Sequence, residues 1–449
     1  MLTYDLNCKN KYYALYKFIR GDILSGKLKA GERLPSKRGL AQNLGVSVTC
    51  VQTAYEQLLA EGYIISVERS GYFVGDVSFD YYGEKPCRTA EQPKEKEWYE
   101  LDLVSGAIPA NLFPFSAWAK LTREVLADCG EHLLNRVPCD GDGELKKALA
   151  SYLYRARGVN VDPRYIVIGA GAEHLYGVVL QLLGRDKIYA VENPGYGNIS
   201  YTYRLYGAEC VYLPVNADGV NLKAVESSGA FAVHISPSHQ FPTGAVTPAF
   251  ARAKLINWAK SGDKFIIEDD YDSEFRLLGK PLQCLFGLCR DRVIYINTFS
   301  KSLAPSMRMG YAVLPPKLYE KYIEIYGRSA NVVPLFEQKT LAKMLDSGFF
   351  ERHINRLRSH FREIRRALVE KLKSFDICKD IIDTCSGPHL LMRFSGDISD
   401  KQFKLIAAER GIYVKCLSDY LLEPFDNSSG YAVINYTSLT KSTVENFFM

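Results

Sequence analysis

The sequence predicts two unlike parts: a small α+β module, then a large α/β domain that ends in a smaller α/β portion. Three observations predict this. Residues 9–75 alternate short amphipathic helices with glycine turns and close on a hairpin pattern. Residues 76–100 are polar, carry two prolines and lack apolar periodicity, the composition of a linker. From residue 101 to 449, short apolar runs recur, and several end in glycine, carboxylate, hydroxyl or amine side chains. The 449 residues exceed one ordinary domain and suffice for a large core.

In the first part, Tyr12 to Leu24 places Leu15, Ile19 and Ile23 on one helical face. Ser36 is a natural N-cap for a helix to Leu44, and Gly45 suits its C-terminal turn. Ser47 caps a further helix to about Glu61. After Gly62, Tyr63 to Val67 reads as a strand, Arg69-Ser-Gly71 as a turn, and Tyr72 to Val74 as the returning strand. Two helices about a glycine turn, followed by a hairpin, make a winged helix-turn-helix. Residues 9–74 carry ten Lys/Arg against five Asp/Glu, a net charge of +5 that equals the formal charge of the whole chain. A basic module on a near-neutral body is an electrostatic footprint of nucleic-acid binding.

Gly31-Glu-Arg-Leu-Pro-Ser36-Lys-Arg38-Gly-Leu-Ala and Gly45-Val-Ser47-Val-Thr49-Cys-Val resemble the winged helix of the GntR regulators. Ala30 stands where that family has proline, and apolar Val48 stands where a polar residue is common. The resemblance implies binding to a double-stranded DNA operator, with Ser36, Arg38, Ser47, Thr49, Gln52 and Arg69 as the candidate contacts. Serine, threonine and arginine reach phosphates, while Gln52 and Thr49 on the second helix suit base edges.

In the large part, Ile166-Val-Ile-Gly-Ala-Gly171-Ala172 is an apolar strand running into a small-residue turn and a helix through Leu175 to Leu183. Backbone N–H groups at such a helix start suit a phosphate. The strand Ile188 to Val191 leads to Tyr196, an aromatic face. Ser236-Pro-Ser-His-Gln-Phe241-Pro-Thr-Gly244 is a turn. Phe265 to Asp269 is a strand ending in Asp269, Asp270 and Tyr271. Val293 to Ile296 precedes Thr298, Ser300, Lys301 and Arg308. Such strand ends gather ligands in open α/β sheets. A single lysine is most often a solvated surface group. A strand-end lysine among hydroxyls and an arginine suits an amine that meets an aldehyde cofactor beside its phosphate.

These motifs, in this order, resemble fold-type I pyridoxal-phosphate aminotransferases over residues 101–449. The resemblance implies pyridoxal 5'-phosphate as cofactor, with Lys301 as the Schiff-base lysine. Gly171, Ala172, Thr298, Ser300 and Arg308 are then the phosphate residues and Tyr196 the stacking ring. Asp269 is assigned to the ring nitrogen, with Asp270 as the competing assignment, and Tyr271 to the phenolic oxygen. Phe241 replaces the family's asparagine in the turn. Asn435 replaces the expected substrate-binding arginine. Asn198 replaces an arginine found two residues past the stacking tyrosine in some relatives, although Arg204 lies close by. The Arg- and Leu-rich helices from about Asn331 lead into the small end domain.

The two halves together resemble the MocR subfamily of GntR regulators. That resemblance implies a cytoplasmic, homodimeric transcription regulator, with pyridoxal phosphate as effector or as receptor for an amino compound. Control of vitamin B6 metabolism is the leading target. The competing function is a working aminotransferase with an accessory DNA-binding head; the missing arginines weigh against it. Eleven cysteines without a C-x-x-C pair predict no metal site and a reducing compartment. The start Met-Leu-Thr-Tyr-Asp predicts no secretory leader, and no apolar run is long enough to predict a membrane span.

Overall fold

A computed structural model describes residues 2–4, 6, 10–77, 99–106, 108–277, 282–424 and 429–447. The chain forms two compact units, Met1–Lys96 and Glu97–Met449. Most of the segment expected to be a linker, residues 78–98, lies outside the described residues, as does Lys9.

The first unit has three helices, α1 (Lys11–Leu24), α2 (Lys37–Leu44) and α3 (Val48–Ala60), and a hairpin of β1 (Ile64–Val67) and β2 (Gly71–Val74). The capping is local chemistry. The Ser36 hydroxyl accepts from the Gly39 N–H at 3.1 Å, and the Ser47 hydroxyl from the Cys50 N–H at 3.2 Å. Gly45 ends α2 at φ 65°, a left-handed conformation that glycine adopts without a Cβ clash. Leu15, Ile19, Leu40, Val51, Tyr55 and Leu58 are buried together as the unit's core.

In the second unit, β3 (Leu101–Asp102) comes first. Helices α4 (Phe115–Cys129) and α5 (Gly143–Arg157) follow, α5 capped by the Asp142 carboxylate. Then come β4 (Ile166–Gly169), α6 (Ala172–Leu183), β5 (Ile188–Asn193), α7 (Gly197–Leu205), β6 (Glu209–Asn216) and β7 (Gly219–Val220). β8 (Ala232–Ile235), β9 (Phe265–Asp269), β10 (Val293–Thr298) and β11 (Gly310–Val313) complete an eight-stranded sheet in the order β4-β11-β10-β9-β8-β5-β6-β7. β6, β5, β8, β9 and β10 run parallel, and β11 runs antiparallel to both β10 and β4. The carboxyl ends of β4, β5, β8, β9 and β10 therefore share one edge.

Both faces of this sheet are covered, as parallel strands require. Ile267, Ile294 and Ile296 pack with Leu175, Val179 and Tyr203 on one face, while Ile266, Val293 and Tyr295 join the core on the other. α6 begins at Ala172, three residues before the apolar run at Leu175, because Gly171 at φ 87° supplies the turn.

The end domain holds β12 (Cys378–Ile382), β13 (His389–Phe394), β14 (Ile412–Tyr413), β15 (Lys415–Cys416) and β16 (Tyr431–Asn435). Four of these form an antiparallel sheet in the order β12-β13-β16-β15. β14 pairs parallel with β3, so the segment that opens the second unit is stitched to its end. The Asn435 N–H also donates to the Leu103 carbonyl at 3.0 Å. That pairing delivers Gly106 to the main sheet's ligand edge. Among the described residues, no helix is long and apolar enough to cross a membrane.

Candidate functional site

A cavity of about 440 Å³ opens at the shared strand edge. Ala172, Tyr196, Asp269, Tyr271, Thr298, Ser300, Lys301 and Arg308 line it. Gly171 stands just behind, where a Cβ would meet the Arg308 guanidinium at 3.0 Å. Arg308 itself sits at φ 46° and donates to the Ala170 carbonyl at 3.2 Å, holding the cation over the start of α6.

Alternation along β9 separates the two candidate aspartates. Asp269 lines the cavity on the face of Ile267. Asp270 turns the other way, ion-paired with Arg157 at 2.9 Å and accepting from the Tyr295 hydroxyl at 2.7 Å. The Tyr176 hydroxyl donates to Asp269 Oδ2, and His234 Nε2 lies 3.5 Å from the same oxygen. Tyr203 Oη is 2.7 Å from His234 Nδ1. Asp269 Oδ1 is buried and has no partner. A buried carboxylate oxygen left unpaired is costly, so this atom is built for a donor that enters the cavity. Sequence reasoning did not single out Tyr176, Tyr203 or His234, since none belongs to a strand-end motif.

Lys301 Nζ donates to the Gly106 carbonyl at 3.3 Å. Burial lowers its pKa from the ordinary lysine range, with the Asp272 carboxylate opposing that shift. A lowered pKa keeps more of the amine unprotonated and nucleophilic. Tyr271 Oη lies 3.3 Å from His239 Nδ1, which is itself 2.7 Å from Asp272 Oδ2. Burial holds the Asp272 carboxyl well above the usual range and pushes His239 down to about 3.

Tyr196 is 45% exposed and faces the Phe241 edge with ring centres 6.3 Å apart. Asn198 Nδ2 donates to the Tyr196 hydroxyl at 3.0 Å and to Glu173 at 3.1 Å. Asn435 is buried on the cavity wall, its Oδ1 accepting the Thr437 N–H at 2.9 Å. The residues fit pyridoxal phosphate on three grounds internal to the site: the orphan Asp269 Oδ1, the Lys301 amine on the cavity wall, and the Gly171 cradle that a Cβ would fill.

On the first unit, Arg38, Thr49, Gln52 and Arg69 are exposed. Ser36 and Ser47 use lone pairs in capping and keep O–H groups for donation. Arg69 occupies the hairpin turn at φ 60°. Gln52 donates to Glu56 at 2.8 Å, a bond it would exchange on reaching a base. Val48, at the exposed start of α3, is 43% exposed and offers apolar contact. The Lys37 ammonium lies 5.9 Å from the centre of the Tyr72 ring in the wing.

Residues 11–74 match the family described as bacterial regulatory proteins, gntR family, and residues 100–448 match aminotransferase class I and II. The chain is 31% identical over 428 residues to the probable rhizopine catabolism regulatory protein MocR of Rhizobium meliloti, covering 90% of this chain and 86% of that one. It is 32% identical over 412 residues to the HTH-type pyridoxine biosynthesis transcriptional regulator PdxR of Corynebacterium glutamicum, covering 90% and 87%. The fold of an archaeal alanine:glyoxylate aminotransferase superposes with a TM-score of 0.69 at 20% identity, covering 78% of this chain and 89% of that one. The chain belongs to the MocR-type transcription regulators of the GntR family, in which a DNA-binding winged helix is joined to a domain with the fold of pyridoxal-phosphate-dependent aminotransferases.

Proposed function

We propose that the large unit binds pyridoxal phosphate and that this occupancy, alone or with an amino compound, sets the protein's affinity for its operator. The observation that carries this reading is the buried, unpartnered Asp269 Oδ1 on the same cavity as the Lys301 amine. When bound, the cofactor supplies an aldehyde that condenses with amines and a ring nitrogen that withdraws electrons when protonated. Asp269 would hold the proton on that nitrogen, and the Tyr203–His234 pair would orient its carboxylate. The N–H groups at Gly171 and Ala172, the Thr298 and Ser300 hydroxyls and Arg308 would hold the phosphate. Tyr196 would cover the ring, and Tyr271 would hydrogen-bond its phenolic oxygen.

Asn435 and Asn198 supply no guanidinium where an aminotransferase grips its substrate, which favours sensing over turnover. The pyridoxine-biosynthesis regulator among the relatives makes vitamin B6 metabolism the proposed target. Two copies would present two winged heads to two half-sites.

The test is the affinity of the full chain for duplexes selected from genomic DNA, with and without cofactor, in wild type and Lys301→Ala. A cofactor-dependent change that the variant loses is expected. Rapid transfer of amino groups from a common amino acid would overturn the sensor reading in favour of an enzyme with an accessory head.

A further inference from the structure

Three buried side chains have no part in the cofactor and DNA assignments. His239 lies in the turn after β8, Asp272 beyond the end of β9, and His389 on β13 of the end domain. Their exposures are 2%, 2% and 4%. One nitrogen or oxygen atom from each lies within 4.8 Å of the other two. His239 Nδ1 is 2.7 Å from Asp272 Oδ2 and 3.3 Å from the Tyr271 hydroxyl, and the two imidazole rings are 4.2 Å apart between centres. A Cβ at Gly387 would collide with His239 Nδ1 and Asp272 Oδ2, so glycine there keeps the pair uncrowded. Asp272 and His389 also border the strand-edge cavity, which gives an ion from solvent a way in.

Both imidazoles are held neutral. Burial pushes His239 down to about 3 and takes His389 well below the usual histidine range, where His239 and Lys301 add to the shift. A neutral imidazole has one N–H and one lone pair. The Pro242 carbonyl takes the N–H of His389, and Nε2 is left as a buried lone pair without a partner among the described residues. A metal-binding histidine is arranged in this way: its other nitrogen donates to a backbone carbonyl, which fixes the tautomer and the ring. Asp272, kept protonated by burial, shares its proton with His239 Nδ1. Such a pair releases its proton when a cation takes the carboxylate and the imidazole as ligands. Two imidazole nitrogens and one carboxylate oxygen suit a borderline divalent ion such as zinc. Magnesium and calcium need more oxygen ligands, and copper(I) needs sulfur. Zinc ligands at about 2.1 Å from the ion stand about 3.4 Å apart, so the widest pair here closes by at most about 1.4 Å on binding. His239 and Asp272 already touch, so that movement falls to His389 and the end domain's β13.

We propose that His239, Asp272 and His389 form a binding site for a divalent cation of the zinc class. The ion replaces the proton between Asp272 and His239, that proton passes to solvent, and cavity water completes the coordination. The bound ion ties the end domain to the main sheet through His389. The proposal does not rest on the cofactor reading.

The test uses the full-length protein, stripped by chelator and kept reduced. It is titrated with zinc chloride by calorimetry and with cobalt(II) chloride by visible absorption. One ion per chain should bind at micromolar concentration or below. The heat should vary with the ionisation enthalpy of the buffer, because a proton leaves. Cobalt should give a d–d band without the charge-transfer band of a thiolate ligand. His389→Gln and His239→Gln should each weaken binding by about tenfold or more. No saturable binding, several weak surface ions, a thiolate band that places the ion on cysteines, or unaltered affinity in either variant overturns the site. Should a variant fail to fold, the wild-type stoichiometry, cobalt band and proton release decide: all three together support the site, and the lack of any one overturns it.

Discussion

Lys301 Nζ and Asn435 Nδ2 converge on one point: each lies 2.5 Å from where a Cβ on Gly106 would stand. The two side chains come from opposite ends of the site, one after β10 and the other at the end of β16. Gly106 fills the gap between them at φ 56°, held there by the β3–β14 pairing. The amine and the residue standing in the substrate-arginine position thus meet across a single glycine.

Gly106→Ala should cost stability and disturb the amine. The left-handed backbone alone costs an alanine about 1–2 kcal/mol, and its methyl would push against both Lys301 and Asn435. A lowered unfolding midpoint for the large unit together with weaker cofactor binding is expected. Wild-type cofactor affinity in the variant would show that the contact is unimportant.

Lys301→Ala should abolish the visible absorbance that pyridoxal phosphate acquires on the protein and the adduct fixed by borohydride. Asp269→Asn should weaken cofactor binding by about tenfold or more, because a charge-assisted hydrogen bond in a buried site is replaced by a neutral one. Asp270→Asn should act on stability instead, since Asp270 pairs with Arg157 away from the cavity. Equal losses of cofactor affinity in the two variants would contradict the division of labour along β9.

Arg38→Ala should lower DNA affinity across all sequences and flatten the salt dependence, at a log–log slope of about −0.9 per phosphate contact removed. Changes at Thr49 or Gln52 should alter base preference by about 1–3 kcal/mol at a contacted pair. The measurement is binding of the full chain to randomised duplexes at several salt concentrations.

Burial pushes the Glu192 carboxyl up to about 8 from an ordinary 4.5. A raised folded pKa means that the folded state holds the proton more tightly than the unfolded chain. Its contribution to stability is then full below pH 4.5 and is lost as pH rises toward 8. Glu192→Gln keeps the side-chain oxygen for the Ser236 N–H and has nothing to deprotonate. The variant should gain on wild type in unfolding free energy between pH 5 and pH 8.5 by on the order of a few kcal/mol. A pH-independent difference between the two proteins would rule out titration of Glu192.

Much of the architecture was legible because it is local. Ser36, Gly45 and Ser47 mark their helix ends through hydrogen bonds that reach only three or four residues along the chain. Ile166, Ile188, Phe265 and Val293 open apolar runs whose composition announces buried strands, and the motifs that follow them appear in chain order. What the sequence by itself determined was therefore the list of strand ends and the side chains each one carries.

The tertiary structure decided which of those side chains meet. Asp269 and Asp270 are equivalent as text; the face of β9 that turns toward α6 separates them, and a period of two gives no hint of which face that is. Tyr176, Tyr203 and His234 bear on Asp269 only because α6, α7 and β8 pack together. Lys415, His389 and Asn435 share a wall through cross-strand pairing between residues distant in the chain. Register and packing are long-range choices, set by which burial of apolar surface is best for the whole chain, and no local pattern encodes them.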